Sequence, residues 1–285
     1  MRLIKQEFWK LFHSSRLYVV LGIGICFSII NIIDNARAIE AFLPLIQEAA
    51  QEGWGISTHF EGFSLFVRWI GVNFSNLGGG LLNLLWPLLA AIPFGWSFCQ
   101  EKNCNYDTQI TTRASKTHYF IAKAIAVFSG GGIAVAFPLI FDLVVNSMIV
   151  PTCVPDVTTS VTPIFNYSFL SNLFYSKPWL YAVGVIGIRF LWGGTVASLC
   201  WLVTPRVRYQ FVPMLFPFVL IMGMDLLHEL FCEITMQPLG FSPLILAQIA
   251  IGAPTPGVLV LGVMGSMLAV SLAVGYRRVV KHELG

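Results

Sequence analysis

Two apolar runs, residues 77–98 and 120–141, are each long enough to cross a bilayer, because about 20 residues rising about 1.5 Å each cover roughly 30 Å of hydrocarbon. Between them lies one of the few polar stretches longer than a turn, FCQEKNCNYDTQITTRASKTHYFIAK, over residues 98–123. A polar segment bounded by two crossings is a loop on one membrane face. It carries Lys102, Arg113, Lys116 and Lys123, and an excess of Lys and Arg beside span ends marks the cytoplasmic side. Soluble domains carry about 25% charged residues; this chain has 11%, with 56% apolar residues and a mean hydropathy of +0.75. Too little polar surface is available to face water, so the chain reads as integral to a membrane.

The net charge of +3 says little about partners, because the charges are sorted by side. Arg2, Lys5, Lys10, Arg16, Arg206, Arg208, Arg277, Arg278 and Lys281 join the central loop on the face assigned to the cytoplasm. Asp34, Glu40, Glu48, Glu52, Glu61, Asp156, Glu229 and Glu233 gather on the opposite face. The alternation predicts an all-α polytopic membrane protein with six transmembrane helices, at 17–33, 77–98, 119–150, 179–203, 211–227 and 258–276, in one domain over 1–285. It puts both termini in the cytoplasm of a multi-pass protein of the cell membrane.

Residues 1–16 place Leu3, Ile4, Phe8, Leu11 and Phe12 at helical spacing, with Arg2, Lys5, Gln6, Lys10 and His13 on the other side. This is an amphipathic interfacial helix with its basic face toward lipid headgroups; the apolar run after it has no small-residue cleavage site, which argues against a signal peptide. The outer loop, 34–76, is partly helical over 36–52, and its apolar run 63–74 is too short to span and holds Arg68. The second span enters through Gly78-Gly79-Gly80 and contains Pro87 and Pro93, which predicts a bent helix in a bundle interior. Residues 229–257, broken by Pro238, Pro243, Pro254 and Pro256, read as a re-entrant outer hairpin before the last helix, with 241–251 as one half.

The polar loop, 99–118, has a Glu soon after the second span, a short helical segment around a Thr, a Ser followed by a basic residue, and a Lys seven residues on. These are Glu101, Thr108, Ser115-Lys116 and Lys123. The pattern resembles the cytoplasmic loop of type-2 ABC exporter permeases (ABC-2 type). The resemblance implies that Tyr106, Asp107, Thr108 and Gln109, in a coupling helix over 106–112, dock into a groove on an ATPase subunit. It also implies that Arg113 and the Ser115 to Lys123 segment belong to the same coupling unit. That family often has a Glu in its N-terminal elbow helix, which matches Glu7; a solvated surface Glu is the other reading of that residue. The chain departs from the family at Asp107, where Gly is usual, and at Arg113, where Pro is frequent.

Active transport needs an energy source, yet no Gly-Lys dipeptide occurs, which excludes a GxxxxGK[ST] phosphate loop. ATP and Mg would therefore sit on a partner chain, and this chain binds no cofactor. HExxH and GxSxG are also missing, so nothing points to an enzyme. Cys26, Cys99, Cys104, Cys153, Cys200 and Cys232 form no metal-ligand spacing. Cys153 and Cys232 share the outer face, where a disulfide and two free thiols are both open. His59, His118 and His228 read as surface residues.

Three charges fall within or at the edge of the spans: Asp142, Arg189 and Asp225. Arg189 lies ~15 Å below the outer edge and Asp225 ~9 Å below it, on spans joined by a short turn. An intramembrane Arg189–Asp225 pair is one expectation, and a role for these groups in a substrate path is the other. The reading as a whole is an ABC exporter permease working with an ATPase subunit and with a second copy or related permease, in lipid and without nucleic acid. Its cargo would be hydrophobic or amphipathic: a peptide, drug or lipid-like molecule. The alternative is a non-transporting membrane sensor or assembly protein whose loop binds a cytoplasmic partner.

Overall fold

The computed structural model describes residues 2–51, 64–111, 115–155, 164, 168–236, 240–248 and 256–281, and among them it is helical with no strand. The chain begins with α1 (Arg2–Phe12) and, after a break at His13-Ser14, α2 (Ser15–Gln51). A single-turn helix, α3 (Leu65–Arg68), precedes α4 (Leu77–Ala91), whose N-terminus is capped by Asn76 accepting from the Gly79 N–H at 2.9 Å. Pro93 supplies no N–H, and the helix gives way to turns over residues 92–96 before α5 (Ser97–Asn103). Next come α6 (Tyr106–Thr111) and α7 (Lys116–Asn146), the latter capped by Ser115. The remainder is α8 (Ser171–Ser176), α9 (Pro178–Ser198) with a 3-10 extension Leu199–Leu202, α10 (Phe211–Thr235), α11 (Pro243–Gln248) and α12 (Gly257–Tyr276).

Among the described residues five helices, α2, α7, α9, α10 and α12, are long and apolar enough to cross a membrane. At 15 residues α4 falls short of the expected 77–98 crossing, because the turns around Pro93 end it early. The first predicted span also needs correction at its other end. The α-helix does not stop near residue 33 but continues to Gln51, with Pro44 inside it. Of the re-entrant hairpin expected over 229–257, residues 229–235 instead continue α10, which runs past the expected end at 227 to Thr235; the short α11 follows, and 249–251 fall outside the described residues.

Direction is set by packing. α2 and α7 run parallel, with Ser28, Asn31 and Asn35 beside Pro138, Asp142 and Asn146 in a constant register. α9 returns antiparallel to α7, and the two backbones come close together. A Cβ on Gly131 would lie 2.6 Å from Gly193 O and 2.9 Å from Ala90 O, and closer still to Ala197 Cβ. Without hydrophobic drive between helices in lipid, small residues that let backbones approach are what hold such a pair together. The faces of α10 and α12 remain open, with Leu226, Leu230, Val258 and Leu261 at least half exposed.

Candidate functional site

At the end of the bundle where α1, α5 and α6 meet, α1 does more than lie on an interface. It packs along α7, with Leu11 fully buried where a Cβ on Gly130 would meet it at 2.9 Å. That orientation turns Glu7 inward, so the elbow glutamate is a core residue and not a solvated one. Its side chain is 3% exposed.

Around Glu7 the structure assembles a closed circuit of four charges. Lys123 Nζ stands 2.9 Å from Glu7 Oε2 and 2.6 Å from Glu101 Oε2, while Lys10 Nζ stands 2.9 Å from Glu7 Oε1 and 2.8 Å from Glu101 Oε1. Tyr119 donates its hydroxyl to Glu101 Oε2. Each carboxylate thus lies between two ammonium groups, and charges alternate around the ring. Lys123 is fully buried, whereas the Lys10 side chain keeps 29% exposure and stacks over the Tyr106 ring at 4.3 Å. Its ammonium therefore points into the circuit, not toward headgroups as the helical wheel suggested.

Burial pushes the Glu101 carboxyl upward, but Lys123, Lys10 and Tyr119 outweigh it and hold it below its ordinary range. Burial likewise pulls the Lys10 ammonium down, and Glu101 and Glu7 reverse the sign and raise it. Because the folded pKa of Glu101 lies under its unfolded 4.5, its stabilisation is complete above that pH and is lost as pH falls through the depressed value. The melting temperature should hold steady from neutral pH to about 5 and then fall, with a shallower fall in Glu101→Gln. Fluorescence-monitored unfolding across this range checks it; parallel curves for the two proteins would remove Glu101 from the account.

A second set of contacts fixes α5 to the connection between α9 and α10. Cys99 Sγ donates to Val207 O at 3.2 Å and to Arg208 O at 3.1 Å, Lys102 Nζ to Pro205 O at 3.0 Å, and Asn103 Nδ2 to Arg208 O at 2.7 Å. Burial raises the Cys99 thiol against the opposing pull of Lys102, in keeping with its place as a hydrogen-bond donor to the two carbonyls. Nothing in the loop's sequence signalled that the short 204–210 turn is one of its partners. Beside these contacts a cleft of about 670 Å³ opens between α1, α5 and the turn before α5, with Arg16 stacked on Trp96 at 3.8 Å.

The other loop residues are placed less tightly. Tyr106 is half-buried under Lys10, Gln109 is exposed on α6, and Ser115 accepts from the His118 N–H at the start of α7. Lys116 is half-buried. The backbone of Asp107 and Thr108 lies within α6, and Arg113 lies outside the described residues.

Nearer the opposite end, Asp142 is fully buried and takes hydrogen bonds from Asn31 Nδ2 at 2.8 Å, Asn146 Nδ2 at 2.9 Å and Ile70 N at 3.0 Å. The expected Arg189–Asp225 pair is not formed. Arg189 reaches Asn83 Oδ1 at 3.4 Å, and Asp225 accepts from Ser242 of the segment leading into α11. The two heights were compatible, but α10 packs on α4 and on the 3-10 turn after α9, so its aspartate faces α11. Cys153 and Cys232 are not joined in a disulfide; Cys232 Sγ lies 3.6 Å from Nε2 of His228, which is buried against Phe241 and not on the surface. No group of metal-ligating side chains occurs among the described residues. In comparisons with known proteins, no family model, no curated protein and no solved structure matches the chain.

Proposed function

We propose that this chain is the membrane-spanning subunit of an ATP-driven exporter of the type-2 ABC kind, pairing with a second permease beneath two ATPase subunits that hold the ATP and Mg. The observation that carries the reading is the buried circuit of Glu7, Lys10, Glu101 and Lys123. Three of its members are the elbow and loop positions on which the family resemblance rests, and their meeting gives that resemblance a mechanical sense.

A motor needs something rigid to push. Here α6 is held close to α5, and α5 is tied by ion pairs to α1 and α7 and by three side chains to the α9–α10 connection. Closure of the ATPase against α6 would move these elements together, while the turns around Pro93 let α5 swing relative to α4. In this scheme α4 completes six crossings, both termini lie in the cytoplasm of a cell-membrane protein, and the hairpin around α11 re-enters from outside. The aliphatic faces of α10 and α12 suit a cavity between protomers for hydrophobic or amphipathic cargo.

The test is recovery and transport. The tagged chain should copurify with an ATPase bearing a phosphate-binding loop, and reconstituted vesicles should move an amphipathic fluorophore only with hydrolysable ATP. Asp107→Arg combined with Gln109→Arg, both on α6, should cut ATPase recovery at least about tenfold, as expected when a charge is forced into a docked interface, without lowering the chain's own melting temperature. Recovery of a different cytoplasmic protein with no ATPase would turn the assignment toward a sensor or assembly factor.

A further inference from the structure

Arg189 sits on α9 with only 4% of its surface exposed, within a segment that reads as membrane-spanning. A guanidinium in such a place is costly unless an anion or carbonyl answers it. The elements around it supply none by ion pair among the described residues. α4 and α9 contain no acid, and Asp142, the sole acid of α7, is engaged by Ile70, Asn31 and Asn146. What Arg189 does have is a long hydrogen bond to Asn83 at 3.4 Å and the Phe74 ring at 5.9 Å.

Beside it is a cavity of about 10 Å³, walled by Arg189, Asn83, Trp86, Phe74 and Leu139. That is at the lower limit of the room one water needs, so a halide, which is slightly larger, requires the walls to give a little. Two of the wall residues carry buried donors with no partner, Arg189 Nε and Trp86 Nε1. Both are N–H groups and neither can accept. Here a formal positive charge accompanies two unpartnered N–H donors. We propose that this cavity is a small-anion site, filled by a halide such as chloride that Arg189 binds by charge and N–H donation, with Trp86 and Asn83 completing the shell. The site rests on α4, α7, α9 and the segment leading into α4 and is independent of the transport reading.

The purified protein in detergent should melt at a higher temperature in chloride or bromide than in gluconate of equal ionic strength, because gluconate is too large to enter. The gain should saturate with halide concentration, as binding to the folded state alone requires. Arg189→Gln should abolish that difference. If that variant does not fold, Asn83→Leu keeps the charge, fills the cavity, and should weaken the halide dependence at least about tenfold. Bromide soaked into crystals should give anomalous density between Arg189 and Trp86. Equal melting in halide and gluconate, a halide dependence unchanged in both variants, or a soaked crystal without bromide at this position would each overturn the proposal and leave a water in its place.

Discussion

Lys123→Met is expected to cost about 3–5 kcal/mol, the range for removing one partner from a buried ion pair. Lys123 Nζ is the fully buried cation between Glu7 and Glu101, at 2.9 and 2.6 Å. Without it, two carboxylates would face each other with only the partly exposed Lys10 between them. Since whole domains are stable by about 5–15 kcal/mol, such a loss should be visible as poor accumulation and a large drop in unfolding midpoint. Lys10→Met keeps the buried cation and removes a side chain that is 29% exposed, so its cost should be about 1 kcal/mol or less. The decisive comparison is the double variant Lys123→Met with Glu7→Gln, which removes charge of both signs and should recover part of the loss. If Lys123→Met melts with the parent protein, the circuit contributes no cohesion and α1 is held by Leu11 and its neighbours alone.

Gly131→Leu should be comparably damaging for a steric reason. Its first side-chain atom would already lie 2.6 Å from the Gly193 carbonyl oxygen and 2.9 Å from that of Ala90. These neighbours are backbone, so relief requires α7 to move away from both α9 and α4. Overpacking in an ordinary core costs roughly 1–3 kcal/mol; here the displaced groups are helices, and a loss at or above the top of that range is expected. Gly187→Leu on α9 is the control, because a Cβ there meets nothing within 4 Å, and its effect should stay within about 0.5 kcal/mol. Denaturant-induced unfolding of the three proteins in one detergent would show it. Equal midpoints for the two leucine variants would mean that the α7–α9 contact can open without loss.

The helical class was legible because hydropathy runs of this length have few other solutions. Helix ends were less so. Apolarity falls after residue 33, but nothing from Asp34 to Gln51 except Pro44 disfavours a helix, so α2 outlasts its hydrophobic stretch. Glu7, Glu101 and Lys123 were all identified singly, from resemblance and not from physics. The physical signal was Lys123 itself, two turns inside an apolar helix between Ala122 and Ala124: a lysine so placed must find acids. Taken as a marker of sidedness, it did not disclose its partners. Arg189 and Asp225 failed differently. Rise per residue gives height in the bundle but not azimuth, and azimuth decides who meets whom.

The 37 residues of α2 amount to a rod about 55 Å long. Even leaning 40° from the bilayer normal it would climb about 42 Å, past the roughly 30 Å of hydrocarbon available. Its far portion, with Glu40 and Glu48 exposed, must therefore rise clear of the hydrocarbon, into the headgroup layer or past it.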